Sequence, residues 1–260
     1  MQASRFVPQY CRHFATIDKI MKTALLWLRT LLFYLGFALI IVIFGLVSCV
    51  SGILHLPTRL HQNLVTTGNF LIMKWLRVCC GIKIRLVGAE YLPDSPAVIL
   101  SNHESTWETF YLQRLFRPVS TTLKRELLRI PFFGWGLYFM HPIPIDRGNP
   151  KAALKQVNSV GQQRLKEGNN VLIFPEGTRH AREEKKTYAR SGAAIAINAG
   201  VSIIPVAHNA ANCWPGDTYL KRPGIITVMI GNPIDTRESD SRSLTQQVQE
   251  WIETQREALE

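Results

Sequence analysis

The sequence predicts an α/β fold: a twisted, mostly parallel sheet flanked by helices, preceded by a two-helix membrane anchor. Three observations lead there. Short apolar runs bounded by glycine, proline or polar residues recur at 82–87, 97–101, 143–145, 171–174, 202–207 and 225–230, which is how buried strands read. Segments of helical character separate several of them, at 106–115, 151–166 and 190–199. Ahead of them all, residues 30–58 run for twenty-nine positions without a charged side chain.

Taken in order, residues 1–29 form a basic segment, with Arg5, Arg12, Lys19, Lys22 and Arg29 against a single Asp18. Met21-Lys22 also reads as an alternative start, and translation from there would remove three of those five cations. Residues 30–80 are the expected anchor. Pro57 interrupts the charge-free run, and residues 60–80 continue as a second, more amphipathic apolar stretch. Arg59, Lys74, Arg77, Lys83 and Arg85 follow the first stretch, so both flanks are basic and the positive-inside rule gives a single span no clear orientation. An in-plane or monotopic pair of helices returning to one face is preferred to a single span. Residues 81–260 then form one domain, since no linker or internal repeat divides them.

Within that domain, Ala97-Val-Ile-Leu-Ser101 reads as a buried parallel strand, and His103 stands just past its carboxyl end, where open α/β sheets place their ligand sites. Glu108 lies five residues on. In a continuous helix the two side chains would be about 140° apart, so they meet only if the turn folds His103 back. Glu108 carries two readings: a carboxylate that orients the imidazole, or the glutamate of a capping box begun by Ser105. A second strand ends in Phe174-Pro-Glu-Gly-Thr-Arg179, a loop with a carboxylate, a glycine that admits close approach, and a guanidinium suited to an anion. A third, 143–145, leads into Asp146-Arg147-Gly148, with Asn149 and Pro150 as cap and first residue of a helix. Gly200 stops a helix before the strand at 202–207, and the polar stretch 178–190 reads as a mobile loop over the site. Ser243 caps a final amphipathic helix that uses Leu244, Val248, Trp251 and Ile252.

In order and spacing these blocks resemble the glycerolipid acyltransferase family, whose signature is His-x4-Asp, a block with Arg-Gly, Phe-Pro-Glu-Gly-Thr-Arg, and a hydrophobic block with proline. The third block matches letter for letter at 174–179, and the resemblance runs over roughly 30–234. Within the family the chain looks most like bacterial 1-acyl-sn-glycerol-3-phosphate acyltransferases. The departure is Glu108, one methylene longer than the usual aspartate. The resemblance implies a glycerol-phosphate acyltransferase-like sheet and acyl transfer from a thioester to the sn-2 hydroxyl of lysophosphatidate, making phosphatidate for phospholipid synthesis. His103 would be the base and Glu108 its orienting partner. Arg179, Arg147 and Lys124 would bind phosphate, with Glu176, Gly177 and Thr178 completing the acceptor site and amides around Gly177 facing the oxyanion. Acyl-CoA or acyl carrier protein would be the co-substrate, with no other cofactor. The same chemistry on another lysolipid or a glycerol-phosphate acceptor, or a catalytically weak lipid-binding protein, remain the alternatives.

A net charge of +11, spread through the chain, suits anionic membrane lipids and phosphorylated substrates and carries no nucleic-acid module. Five cysteines without a Cys-x-x-Cys spacing, and seven histidines without His-Glu-x-x-His, predict reduced thiols and no metal site. Leu46-Val-Ser-Cys49 resembles a lipoprotein processing site, but hydrophobicity continues to Leu56. A thioester-dependent enzyme also needs cytoplasmic donors. The expected location is the bacterial inner membrane, with the catalytic domain facing the cytoplasm.

Overall fold

The computed structural model describes residues 9–146, 148, 150–179 and 186–259, with side chains from residue 19 onward and from 153 onward in the helix that starts at Pro150. The chain opens with α1 (Gln9–Ile53) and α2 (Thr58–Cys80). Helix α1 continues well ahead of residue 30, because the preceding residues break no helix. Its stretch from Lys19 to Ile53 is long and apolar enough to cross a membrane, and its most apolar part, with mean hydropathy 2.7, is little buried.

The two helices form an antiparallel hairpin. Arg29 Nε donates to the Cys79 carbonyl (2.7 Å), Trp75 Nε1 to that of Phe33 (3.2 Å), and Ser51 Oγ meets His61 Nδ1 (2.8 Å), so the contacts run in opposite directions along the pair. Helix α2 also belongs to the sheet. Gln62 exchanges hydrogen bonds with both the N–H and the C=O of Val119, and Asn69 donates to the Phe110 carbonyl. Gly81 ends α2 in the left-handed region, at φ 70°.

A seven-stranded sheet follows, built from β1 (Ile82–Val87), β2 (Val98–Ser101), β3 (Val119–Lys124), β4 (Ile143–Ile145), β5 (Asn170–Ile173), β6 (Ile203–His208) and β7 (Gly224–Ile230), in the order β1-β7-β6-β2-β5-β3-β4. Strands β6, β2, β5, β3 and β4 are parallel, whereas β7 runs antiparallel to β6 and β1 pairs parallel with β7. The helices α3 (Trp107–Leu115), α4 (Phe133–Phe139), α5 (Pro150–Lys166), α6 (Ser191–Ala199) and α7 (Ser241–Ala258) complete the fold.

Strand alternation sorts the core into two layers. Ile99, Leu172 and Ile204 pack with Trp107, Phe110 and Phe33 beneath α1, α2 and α3. Val98, Leu100 and Ile173 pack on the other face with Val157, Ile195 and Val248 from α5, α6 and α7. The cap of α7 differs from expectation: the Asp240 carboxylate accepts from the Arg242 and Ser243 N–H groups, three residues before Ser243. Helix α4 and strand β3 had no sequence prediction. Helix α4 sits against α1 where Gly136 meets Gly45; a Cβ on Gly45 would lie 2.6 Å from the Phe132 carbonyl oxygen, so only glycine permits that approach. Asn149 and Arg147 lie outside the described residues, as do 180–185 within the expected loop.

Candidate active site

The parallel strands end on one side of the sheet, and their last residues feed the loops that build the site. Beyond the last ladder pair, Ser101 with Val206, the Asn102 side chain continues the pairing of β2 with β6: its Nδ2 donates to the His208 carbonyl and its Oδ1 accepts the His208 N–H, each at 3.0 Å. That clamp fixes where the chain leaves β2. His103 follows at once.

The turn does fold His103 back. Its Nδ1 lies 2.8 Å from Glu108 Oε1, which also accepts the N–H groups of Ser105 (2.9 Å) and Glu104 (3.2 Å). Glu108 therefore fills both roles that the sequence left open, orienting the imidazole and closing the first turn of α3. Three donors converge on one oxygen, so the carboxylate is held as an acceptor, the proton belongs on Nδ1, and Nε2 keeps its lone pair. The glutamate's extra methylene is accommodated in the turn. Ser105 caps α3 two residues on instead of three, accepting the Trp107 N–H at 3.1 Å, while its own hydroxyl donates to the Trp214 carbonyl. The histidine side chain is 16% exposed and Glu108 0%. Phe174, the last residue before the second motif turns, stacks on the imidazole with centroids 4.3 Å apart and planes 19° apart, which fixes the ring plane.

The accessible edge of His103 faces a cleft of about 410 Å³. Lys124 at the end of β3, with Gly177, Thr178 and Arg179 after β5, lines the same cleft. Lys124 and Arg179 are exposed cations there. Arg147 falls outside the described residues; Ile145, two positions earlier, lines the cleft. Gly177 adopts φ 75° and its N–H donates to the Phe174 carbonyl at 3.0 Å, so that amide closes the turn and is committed away from an oxyanion.

Glu176 is not among the cleft-lining residues. Its Oε1 accepts the backbone N–H of His103 at 3.1 Å, tying the second motif to the first. Burial pushes its carboxyl up to about 7, although the His103 N–H and the charge of Arg256 oppose that rise.

Sequence reasoning missed a buried cluster behind His103. Glu104 accepts the Ala211 N–H (3.1 Å), lies 3.6 Å from His208 Nδ1, and pairs with Arg256 at 3.5 Å. Burial works against the Glu104 charge, but His208, the Ala211 N–H and Arg256 outweigh it and hold the carboxyl below its usual range. The one local signal for such a role was a charged residue directly beside the histidine.

Residues 83–209 match the family model described as Acyltransferase. The chain is 43% identical over 229 residues to the 1-acyl-sn-glycerol-3-phosphate acyltransferase of Pseudomonas aeruginosa, covering 86% of this chain and 89% of that protein. The protein of the same name from Saccharomyces cerevisiae is 27% identical over 198 residues, 74% of this chain and 64% of its own length. Among solved structures, the 1-acyl-sn-glycerophosphate acyltransferase of Thermotoga maritima shares the fold, with TM-score 0.75 and 23% identity over 90% of this chain and 95% of that one. A cleft with an oriented histidine at its mouth and a relative this similar over nearly its whole length lead to one conclusion: the chain belongs to the acyltransferase family.

Proposed function

We propose that this protein transfers an acyl group from a thioester to the sn-2 hydroxyl of 1-acyl-sn-glycerol-3-phosphate, forming phosphatidate. The observation that carries the reading is the Nδ1 to Oε1 contact of 2.8 Å between His103 and Glu108 at the mouth of a cleft that also holds Lys124 and Arg179.

In this reading, His103 Nε2 takes the proton of the sn-2 hydroxyl as its oxygen attacks the thioester carbonyl. Glu108 stabilises the imidazolium that forms. The tetrahedral intermediate collapses by breaking the carbon–sulfur bond, and the imidazolium returns its proton to the departing thiolate. No side chain is acylated. Lys124 and Arg179, with Arg147, bind the phosphate of the acceptor, whose charge is near −2 at neutral pH. With the Gly177 amide committed, the oxyanion falls to its loop neighbours, Thr178 foremost. Glu176 acts from behind, holding the His103 loop. The donor is acyl-CoA or acyl carrier protein.

Helix α1 is the membrane-associating element, and the proposed placement is in-plane in the cytoplasmic leaflet of a bacterial inner membrane, with residues 30–80 as anchor and 81–260 as catalytic domain. The exposed apolar side chains along α1, from Leu25 to Ile53, support that placement. The test is transfer of labelled acyl groups from each donor to lysophosphatidate by detergent-solubilised protein. Phosphatidate should form and should vanish in His103→Ala. Full turnover in that variant would overturn the mechanism, and no product from either donor would overturn the acceptor assignment.

A further inference from the structure

Helix α7 lies beyond residue 209, where the match to the family model ends. Three of its residues, Gln249, Glu253 and Arg256, are spaced four and then three apart, which places them on one helical face. That face touches both loops of the site. Gln249 Oε1 accepts the Tyr188 N–H (3.3 Å) and its Nε2 donates to the Lys186 carbonyl (3.0 Å). The Tyr188 hydroxyl donates to Glu253 Oε1 (2.9 Å), and the next residue, Ala189, donates its N–H to the Pro175 carbonyl (2.9 Å). The chain returning from the second motif is thus pinned to α7 on one side and to the motif itself on the other. Arg256 Nη1 binds both oxygens of Glu253 (3.0 and 2.8 Å), and its Nη2 reaches Glu104 Oε2 at 3.5 Å.

We propose that Arg256 is a positioning residue for acyl transfer, holding the His103 loop through Glu104 and the second motif through Glu253 and Tyr188. The pairing of Glu104 with Arg256 is buried, with side chains 3% and 9% exposed, so removing the cation strands a carboxylate one residue from His103. Ionised, Glu104 accepts the Ala211 N–H most strongly while facing His208. The positive charge is shared further. The groups facing Arg256 are Glu104 from the His103 loop, Glu253 from its own helix and Glu176 from the second motif, with His208 at the end of β6 and Tyr188 on the returning chain beside them. Glu176 in turn holds the His103 N–H. Loss of the guanidinium drives Glu104 and Glu176 toward their protonated forms at neutral pH and weakens the acceptors on both sides of His103. Removing Glu253, whose charge raises the Glu176 carboxyl, acts in the opposite direction.

The proposal rests on the acyl-transfer reading, and its test uses the full chain in detergent with lysophosphatidate and a thioester donor. Turnover per folded molecule is measured across pH for the wild type, Arg256→Met, Arg256→Lys and Glu253→Gln. Arg256→Met should lose about tenfold or more in kcat with KM for lysophosphatidate changed less than about threefold, and the acid limb of its profile should move to higher pH. Arg256→Lys should recover most of the kcat, and Glu253→Gln should move the acid limb to lower pH. A purely structural role would lower the folded yield and leave the limb where it was. An unmoved acid limb in Glu253→Gln beside an active wild type would overturn the proposal, even if Arg256→Met failed to fold. No turnover by the wild type would overturn the acyl-transfer reading, and this proposal with it.

Discussion

Replacing Glu108 by glutamine separates its two roles, because the amide can keep one and not the other. Glu104 and Ser105 present N–H groups to Oε1 at 3.2 and 2.9 Å, and these two donors select the amide oxygen over its nitrogen at that position. The oxygen then still accepts from His103 Nδ1, so both tautomer and cap survive. The negative charge does not. A full charge about 4 Å from the imidazolium is worth roughly 4 kcal/mol at an effective dielectric of about 20, so with the proton half transferred the loss is about 2 kcal/mol, or ~30-fold in kcat. Full transfer at the transition state raises the loss to about 1000-fold. The amide nitrogen falls at Oε2, which is buried and has no hydrogen-bond partner, so a modest stability cost of about 1–3 kcal/mol accompanies the change. The assay is kcat and KM for lysophosphatidate alongside a thermal melt. A kcat within threefold of the wild type would refute the electrostatic role and leave Glu108 as a cap alone.

Three further outcomes are expected. Glu176, raised to about 7 by burial, binds its proton more tightly folded than unfolded, so its contribution is fully present below the ordinary pKa of 4.5 and is lost as pH rises through 7. The change amounts to roughly 3 kcal/mol, and Glu176→Gln should flatten the fall in Tm between pH 5 and pH 8; an unchanged slope would contradict it. Lys221 is 1% exposed, with its Nζ bonded to the Tyr34 hydroxyl (2.8 Å) and the Tyr219 carbonyl (2.6 Å), and burial lowers it to about 8. Its folded pKa lies below the unfolded value, so stability should rise between pH 8 and pH 10 in the wild type and stay level in Lys221→Met when followed by thermal melts. Asp240→Ala removes the cap of α7 and should lower the denaturant midpoint of unfolding, whereas Ser243→Ala should lower it clearly less; equal losses would return the cap to Ser243.

What could be read from the sequence followed the range of the interactions involved. Strands β2, β5 and β6 are apolar on both faces, because each lies inside a sheet covered by helices on either side, and such runs announce themselves. Strand β3 carries Ser120, Thr121 and Thr122 in the same setting, and the buried Ser120 hydroxyl is satisfied by Asn169 Nδ2 at 3.2 Å. That partner is 49 residues away, and nothing in the strand itself points to it. The same division governs the site. His103 and Glu108 meet across a single turn, so their spacing suffices to pair them. Glu104 and Arg256 are 152 residues apart, and only the packing of α7 across β6 brings them together.

The placement of charge explains why these two classes of residue differ in accessibility as well as in range. The chain carries +11, yet the centre of the site holds three carboxylates, at Glu104, Glu108 and Glu176. Left facing the cleft, they would oppose an acceptor bearing a phosphate monoester. Instead Glu104 and Glu108 are buried against backbone N–H groups of the His103 turn and of Ala211, and Glu176 turns its oxygen to the His103 amide. Lys124 and Arg179 are left exposed at the mouth. Water screens the exposed cations little once a ligand fills the cleft, while the buried anions act over one or two bonds on the geometry of the imidazole. In the proposed reaction the negative charge orients the base and the positive charge meets the substrate, and the glutamate at 108 reaches the imidazole because the turn brings three donors to its longer side chain.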